Sequence, residues 1–346
     1  MRQQENCLVS VIITTYKNEA LLPRAIESVL HQTYPYIELI VVDDNDPESP
    51  SRRATEAVME HYPSVCYLRH PENRNGAAAR NTGIRAAKGT YIAFLDNDDL
   101  YLSDHVAQCV EALQKRPDCD CVLCDVLKIC SGLCWDVIPA ASGNLNRKLF
   151  FSETALGTGS NLFVSADAVR ELNGFDESFL RHQDVEFGLR LSARYRTCSL
   201  SGIQIIKEMD GFSNAQPFEK FRSTKRHLWS KFQREIDAMT PEEQNRYFAG
   251  QYSALLYVAC KEGVREQIRW TEEQLKGCRP LNGKERLIVT LTRLNLFSTY
   301  EALKLAVKKS RSRKLYHRVI SGLAERDRKL LDSALKKPAQ TEGREN

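Results

Sequence analysis

The sequence lacks a long, uncharged apolar run. A membrane-spanning helix needs roughly 20 such residues, and no segment of this 346-residue chain approaches that length. The first residues, MRQQENCLVSVIITTY, also lack the apolar core of a secretory signal peptide. These two absences predict a cytoplasmic protein without a transmembrane segment.

The loop that follows the first predicted strand lacks glycine. Its sequence, TTYKNEA, matches neither the GxGxxG fingerprint nor the Walker A loop. This absence argues against a dinucleotide-dependent dehydrogenase and against a P-loop NTPase. It also argues against a sugar nucleotidyltransferase, whose first loop we expect to be rich in glycine. A nucleotide would therefore have to bind without a glycine cradle.

The cysteines do not form an evident disulfide framework. The chain has 11, an odd number, and no export signal accompanies them. Cys121 and Cys124 have the C-x-x-C spacing of zinc ligands. They fall in a predicted strand, however, where positions three apart point to opposite faces. Reduced, buried thiols are therefore the favoured interpretation, and a zinc site is the minor alternative.

Strand and helix patterns alternate over the first hundred residues. Apolar, β-branched runs predict strands at 8–16, 36–44, 64–70 and 90–96, and amphipathic segments predict helices at 19–33, 49–62 and 76–89, the second capped by Ser51. Strands that are apolar on both faces and alternate with helices indicate an α/β fold with a parallel sheet covered on both sides. Such sheets bind ligands beyond the carboxyl ends of their strands.

Three of these strands end in polar residues that would share one edge of the sheet, namely 14–16, 43–45 and 96–99. Each group alone has a simpler explanation, because Asp and Asn favour turns and the last group could cap a helix that starts near Ser103. Clustered carboxylates repel one another unless a cation joins them. Because Mg²⁺ combines one or two carboxylates with substrate phosphates, the shared edge favours a metal that bridges a nucleotide diphosphate.

Three blocks of the sequence resemble the non-processive, bacterial-type glycosyltransferases of family 2. The blocks are VSVIITTYKNEALLPRAIESVLHQTYPYIELIVVDDND, NGAAARNTGIRAAKGTYIAFLDNDD and NGFDESFLRHQDVEFGLRL. The resemblance covers roughly residues 8–212. The resemblance implies the GT-A fold, a Rossmann-like α/β fold whose mostly parallel sheet is flanked by helices and binds a nucleotide sugar.

The resemblance also implies roles in donor binding for four residues of the first two blocks. Thr14 and Tyr16 would line the pocket for the nucleobase and ribose. Asp44 would accept a hydrogen bond from the imide N–H of uracil, which suits a UDP-sugar. Arg80 would face the donor phosphates or stabilise its own helix.

The resemblance assigns the metal site and the catalytic base to carboxylates. Asp96 would contact the ribose or a metal-bound water, and Asp98, in the DXD motif, would ligate Mg²⁺ or Mn²⁺ on the diphosphate. Asp184 stands at the position of the catalytic base, preceded by Gln183 where the family more often has Glu. Glu186 is a rival base, but residues two apart on a helix point about 200° apart, so only one can face the sugar. We favour Asp184.

The last part of the chain loses the strand pattern and becomes basic. Residues 304–337 hold 12 Lys/Arg and 3 Asp/Glu, a net charge of +9, whereas residues 1–303 sum to −4. Leu315, Val319 and Leu323 form a helical stripe among the basic residues. Such a helix either lies on an anionic membrane surface or packs on the core, and packing is favoured. Aromatic residues do not interleave the basic ones, which argues against nucleic acid as a partner.

We predict three regions in this chain. They are a GT-A catalytic domain over 1–216, a helical region over 217–337 and a disordered tail over 338–346. The segment QIRW at 267–270 is one residue short of the QxxRW motif of processive family members. Without a spanning helix beside it, this segment predicts transfer of one sugar per encounter.

Together these features predict an inverting, metal-dependent glycosyltransferase. It would move a sugar from a nucleotide sugar, preferably a UDP-sugar, to a hydroxyl of a glycan or lipid-linked glycan in surface polysaccharide synthesis. Attachment to the inner face of the cell membrane through the basic helices stays open. The alternative is a catalytically inactive protein of the same fold, and the presence of Asp44, Asp98 and Asp184 argues against it.

Overall fold

The structure is a computed structural model that describes residues 7–141, 144–209 and 216–336. Its contacts divide the chain into two compact units. Unit 1 comprises Met1–Asn146, Thr154–Phe212 and Leu315–Asn346, and unit 2 comprises Arg147–Glu153 and Ser213–Lys314. The predicted helical region 217–337 therefore contributes residues to both units. The predicted disordered tail, 338–346, lies outside the described residues.

Unit 1 contains a mixed sheet that has nine strands in the described part of the chain. They are β1 (Val9–Thr15), β2 (Ile37–Asp43), β3 (Cys66–Arg69), β4 (Tyr91–Asp96), β5 (Asp99–Tyr101), β6 (Cys121–Cys130), β7 (Leu133–Ile138), β8 (Phe163–Ser165) and β9 (Thr197–Met209). Their order is β3-β2-β1-β4-β8-β6-β9-β5, and β7 pairs with β6. The strands β1 to β4 run parallel to one another, as their apolar runs predict. Antiparallel β8 joins β4 to β6.

Helices connect the strands and form the rest of the chain. They are α1 (Leu22–Leu30), α2 (Pro50–Met59), α3 (Gly76–Ala86), α4 (His105–Lys115), α5 (Leu145–Phe150), α6 (Ala166–Glu171), α7 (Gln183–Arg194), α8 (Phe218–Lys231), α9 (Gln233–Asp237), α10 (Pro241–Glu262), α11 (Arg265–Cys278), α12 (Gly283–Arg293), α13 (Phe297–Ser321) and α14 (Glu325–Leu335). Unit 2 has its own core, formed by buried apolar residues of α10, α11 and α12. Among the described residues, every helix falls short of the length and apolarity that crossing a bilayer requires.

The elements predicted over the first hundred residues are present, with shifted ends. The helix predicted over 19–33 is the shorter α1, and Lys17 and Asn18 ahead of it have left-handed φ angles of 58° and 53°. The predicted cap of α2 was wrong. Ser49, not Ser51, accepts the hydrogen bond from the backbone N–H of Arg52, because the helix already starts at Pro50.

The C-terminal stripe packs inside unit 1. Val319 is buried, and Leu315 and Leu323 are partly buried in the same cluster as Leu127 of β6 and Ile206 of β9. Packing on the core, the favoured interpretation of this stripe, is therefore confirmed. These three apolar residues are not available to a membrane.

Candidate active site

The acidic segment joins two strands that are far apart in the strand order. β4 ends at Asp96 and β5 starts at Asp99, with only Asn97 and Asp98 between them. β4 pairs with β1 and β8, whereas β5 pairs with β9 at the other end of the order. Carboxylate oxygens of the three aspartates lie within 4.8 Å of one another. The segment therefore starts a strand instead of capping the helix near Ser103, which begins at His105.

Register across the sheet brings the predicted strand ends together. Thr14 of β1 lies opposite Asp96 of β4, and Thr15 lies opposite Asp43 of β2. Tyr16 follows directly and is 45% exposed. The prediction that these three strand ends share one edge is confirmed.

Two asparagines tie the loops at this edge to one another. The Oδ1 of Asn45 accepts a hydrogen bond from the backbone N–H of Lys17 at 2.8 Å. The Nδ2 of Asn97 donates to the hydroxyl of Thr15 at 3.0 Å and to the carbonyl of Lys17 at 2.9 Å. The loop without glycine is therefore held by side chains from the ends of β2 and β4.

Asp99 is the most deeply buried carboxylate of the acidic segment, with no exposed surface. Its Oδ2 accepts hydrogen bonds from the hydroxyls of Thr158 at 2.7 Å and Ser160 at 2.6 Å. Its Oδ1 is buried and accepts no hydrogen bond from the described residues. The Nζ of Lys207 lies 3.8 Å from Oδ2. Burial raises the pKa of Asp99, and the charge of Lys207 does not offset this effect.

Arg80 connects the acidic segment to the helix that carries the predicted base. Its Nη2 lies 2.5 Å from Oδ1 of Asp96, and its Nη1 donates to Oε1 of Gln183 at 2.8 Å. Burial raises the pKa of Asp96, but the charges of Arg80 and Lys207 outweigh this effect and hold the pKa below its ordinary value. Arg80 thus contacts an acidic side chain at the predicted donor site, as well as the residue before Asp184.

The structure separates the two candidates for the catalytic base. Asp184 lies in the first turn of α7 and is partly exposed. Glu186 has no exposed surface, and its two oxygens lie 2.5 and 2.8 Å from nitrogens of Arg190. A general base must reach the proton that it removes. Glu186 is buried and held by Arg190, so of the two candidates only Asp184 is accessible.

Asp44 has a structural role that the sequence did not reveal. Its Oδ1 accepts hydrogen bonds from Nδ1 of His70 at 2.7 Å and from the backbone N–H of Arg74 at 2.9 Å. Its Oδ2 accepts from Nδ2 of Asn73 at 3.0 Å and from the backbone N–H of Asn75 at 2.9 Å. A carboxylate has about four acceptor sites, so these donors fill it. Asp44 therefore holds the loop that leads into α3, and a uracil imide would have to displace a donor.

This network predicts a large effect of Asp44→Asn on stability. The amide loses the negative charge and turns an N–H group toward donors, so we expect the free energy of unfolding to fall by about 3 kcal/mol. Urea denaturation measures the change. The matched control is Asp46→Asn, in the same loop but exposed, for which we expect less than about 1 kcal/mol. Equal losses in the two variants would contradict the role assigned to Asp44.

The predicted pair, Cys121 and Cys124, does not form one group of possible metal ligands. Both cysteines are free thiols, but Cys124 lies 3.8 Å from Sγ of Cys109 and 3.9 Å from Nδ1 of His105, all three buried. A closed structural zinc site needs four ligands, and this group supplies three from the described residues. We assign it to the core of the sheet.

The curled arrangement of the sheet around the acidic segment is that of the GT-A fold. A solved structure of S. aureus TarS, residues 1–349 in complex with UDP-GlcNAc, matches with a TM-score of 0.51. It is 14% identical, over 83% of this chain and 92% of that one, so the likeness shows the fold. The fold of this chain is therefore the GT-A fold.

The sequence comparison adds the family. Residues 10–172 match the model of Glycosyl transferase family 2. The matched part, just under half of the chain, contains every predicted donor and metal residue, while Asp184 lies beyond it.

Curated relatives carry the same description. An uncharacterised glycosyltransferase of Rickettsia bellii is 27% identical over 261 residues, which are 73% of this chain and 36% of that protein. One of Methanocaldococcus jannaschii is 26% identical over 208 residues, 55% of this chain and 67% of that protein. The chain thus spans about a third of the length of the first relative and two thirds of the second.

Proposed function

We propose that this protein is an inverting glycosyltransferase that moves a sugar from a nucleotide sugar to an acceptor hydroxyl. The observation that carries the proposal is the convergence of Asp96, Asp98 and Asp99 with Arg80 and Lys207. Arg80 also binds Gln183, the residue before Asp184. This arrangement combines a base for the acceptor with a site for the donor diphosphate.

The reaction needs one base and one displacement. The acceptor oxygen attacks the anomeric carbon as Asp184 takes the hydroxyl proton, and the bond from that carbon to the diphosphate breaks. The nucleoside diphosphate leaves with the electron pair of that bond. A single attack from the face opposite the leaving group inverts the anomeric configuration.

Asp98 and Asp99 would hold a divalent cation, Mg²⁺ or Mn²⁺. The fit rests on Oδ1 of Asp99, a buried carboxylate oxygen without a hydrogen-bond partner in the described ranges. Hard divalent cations prefer such oxygens. Asp96 is held by Arg80 and would instead contact the ribose. When bound, the cation would neutralise charge that develops on the leaving diphosphate.

The donor that we propose is a UDP-sugar, with Thr14 and Tyr16 at the nucleobase and Asp44 shaping this pocket through the loop that it holds. Support comes from the family resemblance and from the TarS structure, whose ligand is UDP-GlcNAc. The acceptor would be a glycan or lipid-linked glycan of surface polysaccharide synthesis. The predicted catalytic domain 1–216 and helical region 217–337 stand as part of this proposal.

Calorimetric titration with UDP, GDP and CDP, with and without Mn²⁺, tests the proposal. We expect UDP to bind and Mn²⁺ to tighten its binding. Binding of GDP or CDP alone would overturn the assignment of a UDP-sugar as donor while leaving the enzyme class intact. Binding of no nucleotide under either condition would favour the inactive alternative.

We also propose that α13 attaches the protein to the cytoplasmic face of an anionic membrane. Leu303 and Val307, one helical turn apart, are 64% and 48% exposed. Residues 304–318 contain seven Lys/Arg and no Asp/Glu. Exposed apolar residues beside basic ones suit a surface of anionic lipids. This surface differs from the packed stripe that the sequence suggested.

Vesicle sedimentation tests the membrane proposal. We expect the protein to bind vesicles of phosphatidylcholine with phosphatidylglycerol and not those of phosphatidylcholine alone. Leu303→Ser with Val307→Ser should weaken binding at least about tenfold, because both side chains lose apolar burial. Leu30→Ser is the control, since Leu30 is 47% exposed on α1. Equal binding of all variants would contradict the proposal.

A further inference from the structure

We propose that Lys207 is a donor-binding residue, a fixed cation that holds the nucleotide diphosphate at the acidic segment even when no divalent metal is bound. The proposal rests on the proposed nucleotide-sugar function. Within that function, Lys207 would determine how strongly donor binding depends on a divalent metal.

Strand pairing places Lys207 at the acidic segment. Lys207 of β9 lies directly opposite Asp99 of β5 in the antiparallel register. Residues directly opposite in a strand pair project to the same face of the sheet, and Nζ of Lys207 lies 3.8 Å from Oδ2 of Asp99. The Lys207 side chain is 25% exposed, whereas that of Asp99 has no exposed surface. The Lys207 side chain therefore lies beside the buried carboxylate of Asp99 and is itself partly exposed to solvent.

The hydrogen bonds of the site leave the ammonium of Lys207 available. A distance of 3.8 Å is longer than a hydrogen bond, and Oδ2 of Asp99 already accepts from Thr158 and Ser160. No hydrogen bond joins the Lys207 ammonium to another residue in ranges 7–141, 144–209 and 216–336. An ammonium has three donors. Phosphate oxygens of a bound donor would satisfy them.

Charge balance shows why a fixed cation matters here. The negative charges of four carboxylates, those of Asp96, Asp98, Asp99 and Asp184, stabilise the charged form of Lys207. Arg80 is held between Asp96 and Gln183 and is not free to turn toward a ligand. A diphosphate that approached the carboxylates alone would be repelled. Lys207 supplies a positive charge that does not dissociate.

The same charge must oppose a metal ion. A divalent cation on Asp98 and Asp99 would lie close to the ammonium, and like charges in a partly buried site repel one another. Lys207 should therefore strengthen nucleotide binding without metal and weaken metal binding without nucleotide. A residue with only a packing role would not produce these opposite effects.

The test compares the 346-residue protein with Lys207→Met, Lys207→Arg and the charge control Lys115→Met, whose side chain is 71% exposed on α4. Free Mn²⁺ measured by electron paramagnetic resonance, without nucleotide, gives the metal affinity. We expect Lys207→Met to bind Mn²⁺ about tenfold more tightly than the wild type. Lys207→Arg and Lys115→Met should match the wild type.

Calorimetry with UDP in EDTA gives the second measurement. We expect the wild type to bind UDP, Lys207→Arg to retain this binding, and Lys207→Met to bind at least about tenfold more weakly. Absence of UDP binding to the wild type in EDTA, or unchanged affinities for both ligands in Lys207→Met, would overturn the role of Lys207. If UDP fails to bind even with Mn²⁺, the proposed function fails, while the Mn²⁺ titration still decides whether Lys207 opposes the metal.

Circular dichroism verifies that the variants fold. If Lys207→Met unfolds, the double variant Asp99→Asn with Lys207→Met removes both charges of the pair and takes its place in the EDTA titration. Its UDP binding in EDTA should then be at least about tenfold weaker than that of Asp99→Asn alone. Binding equal to that of Asp99→Asn alone would overturn the proposal.

Discussion

Asp184→Asn should lower the turnover number for sugar transfer by about a thousandfold and leave the affinity for UDP unchanged. The amide cannot take the acceptor proton, and removal of a general base costs about 10²–10⁴ in rate. Asp184 is partly exposed in the first turn of α7, so the substitution alters chemistry more than packing. Release of UDP from a panel of UDP-sugars, with lipid-linked glycans as acceptors, measures turnover.

The control for this substitution is Asp167→Asn, whose side chain is 92% exposed on α6 and which should leave turnover unchanged. Glu186→Gln should act mainly on stability, since it breaks a buried ion pair with Arg190. Substantial turnover in Asp184→Asn would place the base elsewhere on the sheet edge.

Asp98→Ala should remove the part of UDP binding that depends on Mn²⁺, with a loss of affinity of about 100-fold in the presence of the metal. Removing one element of an electrostatic clamp on phosphate costs about 10²–10³. In EDTA the variant should bind UDP at least as well as the wild type, because one repelling carboxylate is gone. Calorimetry under the two conditions separates these effects.

Asp118→Ala is the control for Asp98→Ala, because it removes a carboxylate that is 44% exposed and paired with Arg116. It should bind UDP as the wild type does with and without Mn²⁺. An unchanged response of Asp98→Ala to Mn²⁺ would refute the assignment of Asp98 as a metal ligand.

The parts of the site that local sequence determines were predictable. Apolar runs predicted β1, β2 and β4, and parallel pairing then required the ends of these strands to share an edge. The register of Thr14 with Asp96 confirms this inference. Helical spacing also predicted that Asp184 and Glu186 face different directions, although not which of them is buried.

Contacts between distant segments were not predictable. Thr158 and Ser160 lie about sixty residues after Asp99 in the chain, yet both hydroxyls bind Asp99. Lys207 lies near the end of β9, and only the pairing of β9 with β5 brings it to the acidic segment. The role of Asp44 depends on a loop about thirty residues later in the chain. Each contact arises from tertiary pairing that no local pattern encodes.

The two-residue link between β4 and β5 also limits how this enzyme can be altered by recombination. Asp96 ends β4, which pairs with β1, whereas Asp99 starts β5, which pairs with the strand that carries Lys207, and Asp99 itself binds the hydroxyl of Thr158. A crossover inside this link would combine Asp96 of one parent with Lys207, Thr158 and Ser160 of the other. The link has only two residues, so it could not adjust to a difference between the two parents. Exchange of donor preference between relatives therefore requires the link and its partners on β9 to be inherited together.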